Sequence, residues 1–161
     1  MSMPGWSDIY GLGQADPEDP VGFQESSARV QTIIDGEVAA GIPSERIAVC
    51  GFSQGGALAL HFSLRSDMKL AGCIACSSWL PLRDDYPEAC GKTAKDLTIL
   101  QCHGDEDLVV NSAWGKLSHD FIKDKLGVSD VAFKEYDGLA HGFCQDELND
   151  VSAFLRSKLA S

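Results

Sequence analysis

Gly51-Phe52-Ser53-Gln54-Gly55-Gly56 is the stretch on which the reading of this chain turns. A short apolar run of β-formers, Ile47-Ala48-Val49-Cys50, leads into it, and a helix-favouring run, Ala57-Leu58-Ala59-Leu60-His61-Phe62, leads out. Strand, tight turn and helix around G-x-S-x-G make a nucleophile elbow: the Ser backbone is forced to positive φ and its hydroxyl stands clear of the sheet. Such a turn leaves no room for side chains two residues to either side, and Gly51 and Gly55 meet that demand. The amide of Gln54 then lies beside the hydroxyl, at the positive end of the following helix. The same six residues also describe a glycine-rich turn with an incidental serine, because the motif is short. The rest of the chain has to decide.

The 161 residues suffice for one domain with a real core, and 44% hydrophobic with 23% charged residues is the balance of an ordinary soluble protein. A net charge of −11 argues against nucleic acid as a partner and against a polybasic grip on an anionic membrane. No apolar run reaches bilayer-spanning length, and the opening Met1-Ser2-Met3-Pro4-Gly5-Trp6 lacks the parts of a secretory signal. A cytoplasmic protein with no transmembrane segment is expected. The six cysteines (Cys50, Cys73, Cys76, Cys90, Cys102, Cys144) sit mostly in apolar runs, where a free thiol acts as a small hydrophobe. Cys73 and Cys76 have C-x-x-C spacing, but on a strand residues three apart point to opposite faces and cannot share an ion. No second C-x-x-C and no H-x-x-x-H exists, so no metal site is expected.

Residues 1–18 read as a loop rich in Gly, Pro and Asp. Asp19-Pro20 is an N-cap followed by Pro at the first helical position. Val21, Ala28, Val30, Ile33, Ile34 and Val38 then recur at near-helical spacing and predict an amphipathic helix that stops at Gly41, with Pro43 just beyond. β-like runs at 47–50, 70–77, 97–102 and 131–136 alternate with helices expected over 54–65, 112–126 and 145–159. That alternation predicts a parallel sheet with right-handed crossovers, an α/β fold. Residues 78–96, with Pro81, Pro87 and Gly91, form the main irregular excursion and a candidate substrate-binding surface. There is no internal repeat or low-complexity segment, and nothing marks a second domain.

In an open parallel sheet, functional groups collect beyond the carboxyl ends of the strands. Ser53 follows the first strand, Asp105 and Asp107 the third, and His141 the fourth. Ser, Asp, His is the chain order of an α/β-hydrolase triad. A Ser hydroxyl needs a base to take its proton as it attacks; His141 is suited to that, and a carboxylate would fix its tautomer. The Gln54 amide is one oxyanion-hole donor. Of the two acids, Asp107 is the triad candidate and Asp105 reads as a turn stabiliser bonded to its own backbone. His103 closes a strand and reads as structural, while His61 and His119 lie on helices away from the strand ends.

Several segments together resemble the acyl-protein thioesterases, the lysophospholipase and carboxylesterase family of small α/β hydrolases. They are Met3-Pro4-Gly5-Trp6-Ser7-Asp8-Ile9, Gly41-Ile42-Pro43-Ser44-Glu45-Arg46-Ile47, the elbow through Leu58, Ser78-Trp79-Leu80-Pro81-Leu82, Leu100-Gln101-Cys102-His103-Gly104-Asp105 and Gly138-Leu139-Ala140-His141. The resemblance implies Ser53 as nucleophile, Asp107 as acid and His141 as base. It also implies hydrolysis of long-chain fatty-acyl thioesters and esters, with S-acylated proteins or lysophospholipids as substrates and no cofactor. Trp79, Leu80, Leu108 and Val109 become candidates for an acyl-binding surface, although Trp79 and Leu80 suit a packed core equally well.

The resemblance has departures. Where the family has Asp-Pro-Leu-Val-Pro, this chain reads Asp107-Leu108-Val109-Val110-Asn111, so the loop carrying the acid should be less rigid. Gly142-Phe143-Cys144 replaces small hydroxyl residues after the base. The family also carries strands before the segment matched at Met3, and a His-Gly-Leu-Gly-type loop that supplies a second oxyanion amide. Residues 1–161 are therefore expected to form a single, N-terminally shortened hydrolase domain, with an incomplete three-layer sheet of about four C-terminal strands plus helices. The nucleophile strand would be an exposed edge open to self-association. The alternative function is a catalytically impaired short form that acts by binding or interfering.

Overall fold

The computed structural model describes residues 5–11 and 16–160. The Met1, Met3 and Pro4 positions weighed above lie outside them. The chain runs α1 (Pro20–Ala39), β1 (Ala48–Phe52), α2 (Gln54–Arg65), β2 (Gly72–Cys76), β3 (Ile99–Gly104), α3 (Ser112–Asp124), β4 (Val131–Tyr136) and α4 (Gln145–Leu159). Short 3-10 turns sit at Ser44–Arg46, Arg83–Asp85 and Ala94–Asp96. The four strands are all parallel, in the order β1-β2-β3-β4.

Helices cover both faces. Along β2, Cys73 and Ala75 join Leu60, Leu64, Ile99 and Ile122 in the core beneath α2 and α3. Ile74 and Cys76 alternate to the other face, with Leu100, Cys102 and Tyr136, where Val151, Phe154 and Leu155 of α4 pack. Every residue of β2 and β3 is buried, as expected of parallel strands covered on both sides. This is a three-layer α/β-hydrolase-like fold with a four-stranded, incomplete sheet.

Three expectations shift. The first strand carries on through Gly51 and Phe52, and the third runs two residues later than the apolar run suggested, ending at Gly104. A strand is ended by loss of ladder partners, which composition does not register. The stripe read along α1 is only partly buried: Phe23, Ser26 and Ile34 are covered, but Val21 and Ile33 are 63% and 66% exposed. The packing partner of α1 is α2 rather than the sheet, and a helix with one neighbour buries a narrower face. Among the described residues β1 is an edge strand, with Cys50 exposed.

Candidate active site

The elbow is built as the sequence demands, with one correction. Ser53 has φ 53° and ψ −122°, a conformation L-residues rarely adopt. Its amide donates to the Cys76 carbonyl at 2.8 Å, which ties the turn to the end of β2. A Cβ at Gly51 would lie 2.0 Å from the Gly55 carbonyl oxygen, and one at Gly56 would lie 2.7 Å from the Ser78 side chain. At Gly55 itself a Cβ would meet only Trp6 Nε1, at 3.6 Å. The crowded glycines are thus Gly51 and Gly56, because it is the backbone of Gly55, not a side chain there, that closes on Gly51.

His141 Nε2 lies 3.1 Å from Ser53 Oγ, and its Nδ1 lies 2.8 Å from Asp107 Oδ2. The imidazole packs on Phe52, with ring centroids 4.7 Å apart, and the Phe143 ring lies at the same distance from Phe52. Asp107 is buried, yet its carboxyl is held below the usual range. Burial pushes it up, but the His141 contact and the amides of Val110 and Val109 outweigh that. Those amides donate to Oδ1 at 2.9 Å each, so the carboxylate closes its own turn while presenting Oδ2 to the imidazole. His103 Nε2 donates to the Val110 carbonyl at 2.8 Å. Gly115 makes room for that ring, since a Cβ there would lie 2.4 Å from His103 Nδ1. Burial lowers the His103 pKa and keeps the ring neutral. The acid loop therefore has three internal ties in place of the prolines it lacks.

Asp105 differs from its expected role. Its Oδ1 accepts from the Gly138 amide at 2.8 Å, while Glu106 N donates to the Leu139 carbonyl at 3.1 Å. It braces the His141 loop, not its own turn. His61 is buried against Phe23, and burial, with Arg65 nearby, lowers its pKa to about 4. His119 Nδ1 lies 2.9 Å from Asp120 Oδ1 on α3. Neither ring approaches Ser53.

Gln54 opens α2, and its amide is among the first helical N–H groups, which have no partner within a helix. Its side chain gathers the N-terminal segment: Oε1 accepts from Trp6 N at 2.9 Å, and Nε2 donates to the Ser7 carbonyl at 2.8 Å. Ser7 lines a cavity of about 390 Å³ together with Phe23, Trp79, Leu80, Trp114 and Leu117. Trp79 and Leu80 are thus on the cavity, and Leu80 N also donates to Ser118 Oγ at 2.8 Å. Leu108, 96% exposed, and Val109 lie on the outer surface of the acid loop and do not line it. Sequence reading missed Trp114 and Leu117. They lie three apart on α3, beside the buried Ser118 that also lines the cavity.

A sheet flanked by helices, with a serine at a strained strand-to-helix turn, is an α/β hydrolase. The sequence profile of the Phospholipase/Carboxylesterase family matches residues 1–159, and the chain belongs to that family of ester and thioester hydrolases. It is 40% identical to acyl-protein thioesterase 1 of Neurospora crassa, over 99% of this chain and 67% of the relative. It is 39% identical to that of Mycosarcoma maydis, over 96% and 69%. Among solved structures, Arabidopsis thaliana SOBER1 superposes with a TM-score of 0.89 at 32% identity, covering 96% of this chain and 73% of that one. Zea mays acyl-protein thioesterase 2 gives 0.84 at 27% identity, over 96% and 72%. No helix among the described residues is long and apolar enough to cross a membrane.

Proposed function

We propose that residues 1–161 act as one hydrolase domain that cleaves fatty-acyl thioesters and esters through Ser53, His141 and Asp107. The observation that carries this reading is the unbroken line from Asp107 Oδ2 to His141 Nδ1, 2.8 Å, and from His141 Nε2 to Ser53 Oγ, 3.1 Å. Ser53 Oγ attacks the acyl carbon as His141 Nε2 takes its proton. The Asp107 carboxylate, which can only accept, holds the proton on Nδ1 and stabilises the imidazolium. Negative charge on the former carbonyl oxygen is met by the Gln54 amide and the N-terminus of α2. Collapse expels a thiol or alcohol protonated by His141, leaving the acyl group on Ser53. Water then attacks that ester with His141 as base, releasing the fatty acid. The scheme uses no cofactor.

The cavity offers an acyl chain the apolar side chains of Trp79, Leu80, Trp114 and Leu117, beside a polar part that includes Asp8, Glu18, Asp19 and Asp84, and Gln54 joins it to the elbow through Ser7. The names of the relatives support S-acylated proteins as substrates, and the family description supports phospholipid and carboxylic esters, with lysophospholipids as the form we propose. Six free thiols fit work in the reducing cytoplasm.

A second reading, an impaired form that binds or interferes, is favoured by one feature: the nucleophile strand β1 pairs only with β2 among the described residues. A fluorophosphonate probe separates the two. Covalent labelling at Ser53, lost in Ser53→Ala, together with turnover of p-nitrophenyl esters supports the hydrolase. Labelling without turnover supports the impaired form, and no labelling sinks the triad.

A further inference from the structure

A second cluster lies on the face of the sheet covered by α4. Cys76 and Cys102 are register partners on β2 and β3. Glu147, in the first turn of α4, is set against them: one ligating atom from each of the three lies within 4.8 Å of the others. All three residues are buried, Cys102 and Glu147 completely. Among the described residues neither carboxylate oxygen of Glu147 has a hydrogen-bond partner of normal geometry, and the polar group the carboxyl interacts with is the Cys76 thiol. An acid taken fully out of water without a partner is costly, and native interiors compensate such groups by pairing or by a metal. The surroundings are polar where they need to be. Tyr136 Oη lies 3.4 Å from Cys102 Sγ and donates to Asp150 Oδ2 at 2.9 Å, and Glu147 N donates to Cys144 Sγ at 3.5 Å.

We propose that Cys76, Cys102 and Glu147 form a structural zinc site. Two sulfurs and one carboxylate oxygen are the mixed donor set of a borderline-soft divalent ion. Three protein ligands leave the fourth tetrahedral position to water or a neighbouring donor. Binding replaces the two thiol protons by the ion and releases them to solvent, so two thiolates and a carboxylate face the dication with no change of oxidation state. The ion would fasten the end of β2 to β3 and to the start of α4. The first of these holds Ser53 through the Cys76 carbonyl, the second leads to Asp107, and the third follows His141. The zinc reading does not depend on the catalytic one, because metal content is measured without activity.

The test uses the whole chain, refolded with zinc chloride, separated from excess and analysed by inductively coupled plasma mass spectrometry. Zinc is expected at about one ion per chain, falling at least about tenfold in Cys76→Val, Cys102→Val and Glu147→Gln. Cys73→Val, equally buried but on the opposite face, should keep it. Cobalt in place of zinc should give a thiolate charge-transfer band in the near ultraviolet that Cys76→Val abolishes. Glu147→Gln is nearly isosteric, so the test stands if a cysteine variant fails to fold. Wild-type protein with no stoichiometric zinc overturns the proposal. So does equal zinc in wild type and all ligand variants, or a Cys76–Cys102 disulfide in the folded protein by intact mass.

Discussion

Asp107→Asn puts the proposed chemistry under the sharpest strain, because it replaces one carboxylate oxygen by an NH₂ donor and removes the charge with almost no change of shape. Asp107 Oδ1 accepts from Val109 N and Val110 N, so the asparagine carbonyl oxygen is held at that position by two donors. The amide NH₂ must then occupy the place of Oδ2, 2.8 Å from His141 Nδ1. An N–H facing Nδ1 forces that nitrogen to accept and moves the ring proton to Nε2, which then donates to Ser53 Oγ and cannot take its proton. The inverted tautomer is expected to slow attack by about 10⁴-fold, roughly 5.5 kcal/mol of transition-state stabilisation. Asp105→Asn is the matched control: its carbonyl oxygen can still accept from Gly138 N, so less than about a tenfold loss is expected. The assay is the second-order rate of fluorophosphonate labelling of Ser53, which needs no turnover. A loss below about a hundredfold in Asp107→Asn, or equal losses in the two variants, would refute the reasoning.

Other outcomes follow from particular contacts. Gly51→Ala places a Cβ 2.0 Å from the Gly55 carbonyl oxygen and should cost at least about 3 kcal/mol in urea unfolding, whereas Gly55→Ala should keep both fold and labelling. His61 titrates near 4 in the fold against an ordinary 6.5, so the unfolded chain binds the extra proton first. Its contribution is present above pH 6.5 and drains away as pH falls towards 4, by about 3 kcal/mol. The urea midpoint of wild type should therefore fall relative to that of His61→Leu over that window, and parallel curves count against the assignment. Trp79→Ala should reduce hydrolysis of long-chain p-nitrophenyl esters more than of the acetate, and an equal loss on both would remove Trp79 from the acyl site. Cys50 is exposed on the edge strand, so Cys50→Lys should weaken any concentration-dependent association seen by sedimentation.

Much of the architecture was legible because its signals are local. The elbow, the Asp19–Pro20 helix start and the alternation of β-like runs with helices each lie within a few consecutive residues, and the helices after Gln54 and Gln145 begin where the sequence placed them. What failed depended on neighbours. The α1 stripe could not reveal that α2 would cover only part of it. Asp105 could not reveal that its oxygen would meet Gly138, because the loops after β3 and β4 approach each other only once the sheet has formed. Strand spacing put Cys73 and Cys76 on opposite faces, and they fall in opposite cores. It could not see Cys76 beside Cys102, because that adjacency is a matter of register.

Register also explains how an edge strand can hold a strained serine. Among the described residues β1 pairs with one strand, β2, and the support seen for Ser53 comes from that side. The Ser53 amide donates to the Cys76 carbonyl, and one residue further on the Ser77 amide donates to the Cys102 carbonyl of β3, both at 2.8 Å. Ser77 is itself at φ 47°, so the chain turns there as it does at the elbow. Ser78 then sits where a Cβ at Gly56 would collide with it, pinning the start of α2 against the end of β2. Nucleophile and acid strand are thus joined by two backbone hydrogen bonds through two adjacent residues, Cys76 and Ser77, both with small side chains. Enlarging Ser78 to Val should loosen that joint from the α2 side: labelling of Ser53 should fall while the far-ultraviolet circular dichroism stays unchanged. Labelling at the wild-type rate in a folded Ser78→Val would show that the elbow keeps its geometry without β2, and the edge position of β1 would then need another account.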